Sequence, residues 1–331
     1  MNYYIQIKSR NKAKNDIDSL MKKNGFVNVA VNINQKGKVR KFLYKLLSVL
    51  KLYWTLQKDD TLVIQYPFKK FYELQCNIAH KKGAKVVTLI HDLGTFRRHK
   101  LTATQEIKRL SHSDFIIAHN PSMIQWLKNH GCKQHLISLD IFDYLADTEP
   151  KNVDSQPPYV HIVYAGGFNK RKNMFIYQLD DVVDGCLVDL YGNGKIEENV
   201  NWKNLRFNGP KPSDEFVAGV AGNWGLVWDG DSIDECSGQW GEYLKINNPH
   251  KTSFYLRAGL PVIVWNQSAM ADFILENNLG IAVGSLRELP ELLKNVSDED
   301  YRKMKESVKQ FRKKLQDGYF FLNALSKTEQ F

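Results

Sequence analysis

Apolar runs such as Thr61-Leu62-Val63-Ile64-Gln65-Tyr66 and Val86-Val87-Thr88-Leu89-Ile90 carry few polar positions, so the strands they form are covered on both faces. Longer stretches with helical period separate them. The pattern predicts strands over 3–7, 27–31, 61–66, 85–91, 115–119 and 136–139, with helices over 15–23, 39–54, 71–82 and 122–129. The alternation resumes with strands over 161–165, 187–191, 205–207, 225–228, 262–265 and 281–283. Strands that alternate with helices in this way build parallel sheets. Between the halves stands Glu149-Pro150-Lys151-Asn152-Val153-Asp154-Ser155-Gln156-Pro157-Pro158, too rich in proline and polar residues to be a core element. The expected fold is α/β: two Rossmann-like doubly wound domains facing a cleft. They would span 1–150 and 159–300, with a helical segment 301–331 returning to the first domain.

Composition narrows the partners more than the fold. A chain of 331 residues is long for one core, which agrees with two domains. Its four cysteines show no CxxC and no metal spacing, which suits reduced thiols in the cytosol. The start, Met1-Asn2-Tyr3-Tyr4-Ile5-Gln6-Ile7, reads as a strand rather than a secretion signal, and no apolar run approaches the roughly 18 residues of a membrane span. The expectation is a cytoplasmic protein, with contact on the inner membrane face as a candidate. A net charge of +10 admits nucleic acid, an anionic membrane surface or phosphorylated small molecules as partners. Nucleic acid is not expected, because the basic residues do not alternate with aromatics on one platform. Much of the excess lies in Lys36, Lys38, Arg40, Lys41, Lys45 and Lys51, and a second patch is Arg97-Arg98-His99-Lys100. Segment 39–54 sets Phe42, Leu43, Leu46, Leu47, Val49, Leu50, Tyr53 and Trp54 opposite lysines. It is either an amphipathic helix for an anionic membrane or a domain helix with a solvated basic face.

Open α/β sheets bind ligands where strands end and helices begin, so those positions carry the candidate chemistry. Tyr164-Ala165-Gly166-Gly167-Phe168-Asn169-Lys170-Arg171 is a strand exit with two glycines and then cations. It is neither GxGxxG nor a Walker A loop. Gly167 would let backbone approach a diphosphate, and Arg171 would bring planar, bidentate charge; a tight turn before a basic helix is the plainer alternative. Gly192-Asn193-Gly194 reads as a turn, whereas Phe207-Asn208-Gly209-Pro210 could cradle a nucleobase. In Asn247-Asn248-Pro249-His250-Lys251-Thr252 a cation stands where a helix begins, an unfavourable place unless something negative lies there. An asparagine would cap this helix, Pro249 would fill its first turn and Gly259 would end it. Lys251 beside free helix N–H groups makes an anion site, most simply for phosphate. His91 and Asp92 close a first-half strand and are candidate general bases. Asp229-Gly230-Asp231 invites a divalent metal but lacks further ligands at matching spacing, so neither metal nor cofactor is expected.

These residues together resemble GT-B glycosyltransferases. The match runs through Gly225-Leu226-Val227-Trp228-Asp229, Asn248-Pro249-His250-Lys251 and Ala258-Gly259-Leu260-Pro261-Val262-Ile263-Val264. Within that class the chain is similar to bacterial galactofuranosyltransferase-like proteins, a group that includes glucosyltransferases extending O-linked N-acetylglucosamine on serine-rich-repeat adhesins. The resemblance implies a UDP-sugar donor held by the second domain and a glycan, glycoprotein or lipid-linked glycan acceptor. It implies a metal-independent, inverting hexosyl transfer and a homo-oligomer. It places the donor on Arg171, Asn247, Asn248, Pro249, His250, Lys251 and Thr252, the uridine near Phe207 and Pro210, and a further contact on Ser9. Asp92 or His91 would be the base. A non-catalytic glycoprotein-binding partner with this fold is the alternative from another class.

Overall fold

The computed structural model describes residues 1–7, 9–34, 36–68, 70–97, 100–151, 157–168, 170–194 and 201–330, without the side chains of 97, 170 and 171. Lys8, Arg98, His99, Asn169 and residues 152–156 of the proline-rich stretch therefore lie outside the described residues, as does the Arg171 side chain. The chain forms two units, Met1–Asp143 with Phe320–Phe331, and Tyr144–Tyr319.

The first unit is built on six parallel strands in the order β2-β1-β3-β4-β5-β6. They are β1 (Asn2–Tyr4), β2 (Val27–Asn28), β3 (Thr61–Tyr66), β4 (Lys85–Ile90), β5 (Phe115–Ala118) and β6 (His135–Ser138). The central strands β3, β4 and β5 are almost wholly buried, which is why they read as apolar runs. The outer strands β1 and β2 are shorter than the apolar pattern predicts. Their pairing stops at Tyr4 and Asn28, and the Gln6 carbonyl accepts instead from the Tyr44 hydroxyl at 2.5 Å. Strand order reverses between β1 and β3, the place where such sheets take ligands.

The second unit carries β7 (His161–Ala165), β8 (Leu187–Tyr191), β9 (Leu205–Phe207), β10 (Trp224–Val227), β11 (Val262–Trp265) and β12 (Gly280–Val283). All run parallel in the order β12-β11-β10-β7-β8-β9, so the reversal falls between β7 and β10. Strand β10 begins one residue before the predicted 225, because Trp224 is fully buried and pairs with Ile162. The helix after it, His250–Arg257, is capped by Pro249 in extended conformation with no side-chain cap. The expected asparagine cap is thus not formed, and Pro249 stands one position before the helix. Gly259 follows its end with φ +78°, the left-handed conformation a glycine tolerates there.

The helical tail is two helices rather than one. Asp298–Asp317 belongs to the second unit and stops at Gly318, φ +75°. Within the first unit the next helix, Tyr319–Ser326, presents its start to Asp143, whose carboxylate accepts from Phe320 N at 3.1 Å and Phe321 N at 2.8 Å. The change of unit after Asp143 precedes the proline-rich stretch. Residues 146–149 are held on the second unit by Arg257, which donates to Glu149 and to the carbonyls of Ala146 and Thr148.

Candidate functional site

At the carboxyl ends of β7, β8 and β9 three glycine-bearing loops meet. Gly166 N donates to Tyr191 O, Phe168 N to Asn193 O and Gly192 N to Gly209 O, each at 2.9 Å. The approach needs glycine: a Cβ on Gly192 would stand 1.6 Å from Gly166 O. The loops enclose a pocket of about 270 Å³ lined by Gly167, Asn193, Pro210, Lys211, Phe216 and Phe254 among others. Phe207 lies outside this lining, half exposed and edge-on to Phe168 at 5.1 Å. The β7 exit is held from below by the Tyr255 hydroxyl, which accepts from Ala165 N at 2.6 Å. Gly225 leaves room for that ring, since a Cβ there would come within 2.2 Å of it.

The cation at the start of helix His250–Arg257 has its counter-charge inside the protein. Lys251 Nζ donates to Asp229 Oδ1 at 2.8 Å, Trp228 O at 3.1 Å and the Tyr164 hydroxyl at 3.2 Å. Lys172 Nζ lies 3.1 Å from Asp229 Oδ2. Burial alone would raise the Asp229 carboxyl, but Lys251 and Lys172 outweigh it and hold it below the usual carboxylate range. Among the described residues, two ammonium groups meet this one carboxylate at the β7/β10 reversal. With both oxygens of Asp229 on ammonium groups, this carboxylate is an ion-pair partner rather than an open metal ligand.

The other candidates are distributed as follows. Asn248 and Thr252 are buried, and His250 stacks on Tyr144 with ring centroids 4.8 Å apart. Asn247 Oδ1 and Thr252 Oγ1 are buried without a hydrogen-bond partner among the described residues. Such acceptors are rare unless a ligand or water serves them. Arg171 belongs to the short helix Lys170–Asn173, and Asn173 Nδ2 donates to Gly167 O.

In the first unit a groove of about 1250 Å³ opens at the β1/β3 reversal, lined by Ser9, Arg10, Lys14, Asp18, Gln65 and Asp92 among others. Ser9 stands two residues before Asn11, the N-cap of helix Lys12–Lys23, and its hydroxyl accepts from Asn11 N at 3.0 Å. His91 is buried beside Phe142 and meets Gln65 Oε1 through Nε2 at 2.7 Å. Gln65 Nε2 donates to Asp18 Oδ1 at 2.7 Å and to Lys14 O at 3.2 Å. Both of those groups are acceptors, so the amide oxygen must face His91. The imidazole then donates its Nε2 proton to that oxygen.

Burial pushes the Asp18 carboxyl up to about 7, against the pull of Lys14 and Gln65. A folded pKa above the unfolded one contributes stability that is whole below about pH 4 and lost as pH rises through 7. The first unit should therefore be weaker at pH 8 than at pH 5, by on the order of 2 kcal/mol from this group. Urea midpoints of wild type and Asp18→Asn across that range check it: the variant should show a shallower slope. Asp143, also pushed up to about 7 by burial, keeps the slope from vanishing. Equal slopes would contradict the assignment.

Sequence reasoning missed Lys172, Tyr164 and Tyr255 as supports of Lys251 and the β7 loop, and Asp18 with Gln65 behind His91. Only the run of cations at 170–172 offered a signal for any of them.

Comparison with known proteins gives the family. Residues 2–141 match the Glucosyltransferase 3-like N-terminal domain and residues 162–328 the Glucosyltransferase 3-like C-terminal domain. The chain is 34% identical to the beta-1,6-galactofuranosyltransferase WbbI of Escherichia coli K12, over 82% of this chain and 79% of the relative. Glucosyltransferase 3 of Streptococcus gordonii is 26% identical over 72% of this chain and 68% of its own. The N-terminal domain of trehalose-6-phosphate phosphatase from Candida albicans shares the fold, with TM-score 0.53 and 9% identity over 98% of this chain and 96% of that one. Two Rossmann-like units are the makeup of a GT-B transferase, and the domain matches span nearly the whole chain: it belongs to the Glucosyltransferase 3-like family of glycosyltransferases.

Proposed function

We propose that the chain transfers a hexose from a UDP-sugar to a hydroxyl of a glycan or glycoprotein acceptor, such as N-acetylglucosamine on an adhesin, without a metal and with inversion. The observation that carries the reading is the meeting of three glycine loops beside the Lys172–Asp229–Lys251 cluster at the β7/β10 reversal. Uridine fits the pocket lined by Gly167 and Pro210. Its diphosphate would lie toward Arg171, Lys251 and the first turn of helix His250–Arg257, with Asn247, Asn248, Pro249, His250 and Thr252 around it. As the bond from the anomeric carbon to the UDP oxygen breaks, charge grows on the diphosphate, and these groups stabilise it. His91 or Asp92 takes the acceptor proton while the freed oxygen attacks the anomeric carbon.

Thermal-shift titration with UDP-glucose, UDP-galactose, UDP-N-acetylglucosamine and UDP-galactofuranose tests the reading. At least one should raise the melting temperature, because a ligand that prefers the native state stabilises it. If none does and UDP also fails, the donor assignment is lost. A second reading, a galactofuranosyl- or hexosyltransferase working on a lipid-linked surface polysaccharide, is favoured by the exposed helix Lys38–Thr55. Homo-oligomer formation and a cytoplasmic site of action remain parts of the same proposal.

A further inference from the structure

Helix Lys38–Thr55 of the first unit has two apolar sides. Tyr44, Ser48, Val49 and Leu52 face the core and are buried. Val39, Leu43, Leu47, Leu50 and Trp54, spaced three or four apart and so on one stripe, face away from it. They are 71%, 42%, 41%, 38% and 77% exposed. A domain helix with a solvated basic face would put its cations on that side and hide its leucines. Here the arrangement is reversed: the leucines face solvent, Arg40 and Lys51 border the stripe on one side, and Lys38, Lys41 and Lys45 line the groove on the far side of the helix. The helix holds no aspartate or glutamate.

We propose that this stripe docks on an anionic lipid bilayer, with its apolar residues at the boundary between headgroups and acyl chains, Arg40 and Lys51 among the phosphates, and the groove lysines adding a longer-range attraction. Two observations select that occupant. Five cations and no carboxylate on one helix complement an anionic surface, whereas a second copy of the same helix would meet like charge. The same helix also walls the groove at the β1/β3 reversal, to which it contributes Lys38, Lys41, Phe42 and Lys45. No carboxylate among the described residues pairs with Arg10, Lys36, Lys38 or Lys41 of that groove. A chain seated on this stripe opens a cationic groove beside the lipid phosphates. The proposal deepens the acceptor half of the transferase reading and rests on it only for what the groove receives, an acceptor drawn from the bilayer.

The test uses the full chain and vesicles of phosphatidylcholine with or without phosphatidylglycerol. Wild type should sediment with the mixed vesicles, about tenfold less with phosphatidylcholine alone, and Trp54 emission should shift to the blue on binding. The double variant Leu43→Glu/Leu47→Glu should lose sedimentation by about tenfold or more while its UDP affinity stays at the wild-type level. UDP affinity is read separately, so loss of the donor reading and loss of the docking proposal cannot be confused. The proposal is overturned if wild type ignores both vesicles, or if the double variant sediments as well as wild type. It is also overturned if the substitutions change the oligomer mass in light scattering and leave vesicle binding alone, since the stripe would then join copies of this chain.

Discussion

Lys251→Ala should cost UDP affinity by roughly 30- to 100-fold, the loss of one charge-assisted contact in a dry site. It should also destabilise the second unit by about 3 kcal/mol, because it strips a buried carboxylate of one of its two cations. The two effects separate by design. Lys251→Met with Asp229→Asn removes the charge and the group that needed it, so stability should recover while UDP affinity does not. The pH dependence carries a sign of its own. In wild type the depressed Asp229 carboxyl contributes stability above its unfolded pKa and loses it as pH falls through the folded one. Without Lys251 the burial term is opposed by Lys172 alone, so the folded pKa rises. The gap between variant and wild type should be widest near neutrality and should narrow below about pH 4. Calorimetric titration with UDP and urea melts at both pH values check the pair. An unchanged UDP affinity in Lys251→Ala would leave the lysine a purely structural partner of Asp229.

Arg257→Ala should be the most destabilising single change in the second unit. The side chain is fully buried and donates to Gln316 Oε1 at 3.0 Å, to both Glu149 oxygens at 2.6 and 3.1 Å, and to Thr148 O at 2.9 Å. Glu149 is largely exposed, so the ion pair itself is partly screened and is the lesser part of the effect. The larger part comes from stranding buried carbonyls and Gln316 next to an empty space. A loss of about 3–5 kcal/mol follows, which lowers the melting temperature by on the order of 10 °C. Arg257→Lys should recover little, since one ammonium cannot reach acceptors arranged for a planar fork. Limited proteolysis should show new cleavage within 144–149, the segment this arginine pins. A variant that melts as wild type does and resists cleavage there would contradict the clamp.

The buried strands were legible because both faces of a parallel sheet demand apolar residues. Strands β3, β7, β8 and β11 fall on the predicted residues. Toward the β2 edge local hydrogen bonds decide instead, and β2 and its neighbour β1 end early where Tyr44 takes the Gln6 carbonyl. The glycine loops were readable one by one as strand exits, but their meeting is a consequence of strand order, which no local pattern encodes. Lys251 was visible as an oddity; its partner Asp229 lies 22 positions away and is joined to it by the packing of helix His250–Arg257 on β10, where Gly225 receives the Tyr255 ring. Arg257 carries no local mark of its burial, which depends on where residues 146–149 and Gln316 come to lie. Helix Lys38–Thr55 shows the same limit from the other side. Its amphipathic period is plain in the sequence, but which face meets the core is a tertiary fact.

The most direct test of the donor assignment is a crystal structure of the protein with UDP bound. The account predicts uracil in the pocket between Gly167 and Pro210 and the diphosphate at the first turn of helix His250–Arg257, within ion-pair reach of both Arg171 and Lys251. Density for UDP elsewhere, with Lys251 still turned onto Asp229 and Arg171 directed away from the nucleotide, would contradict it.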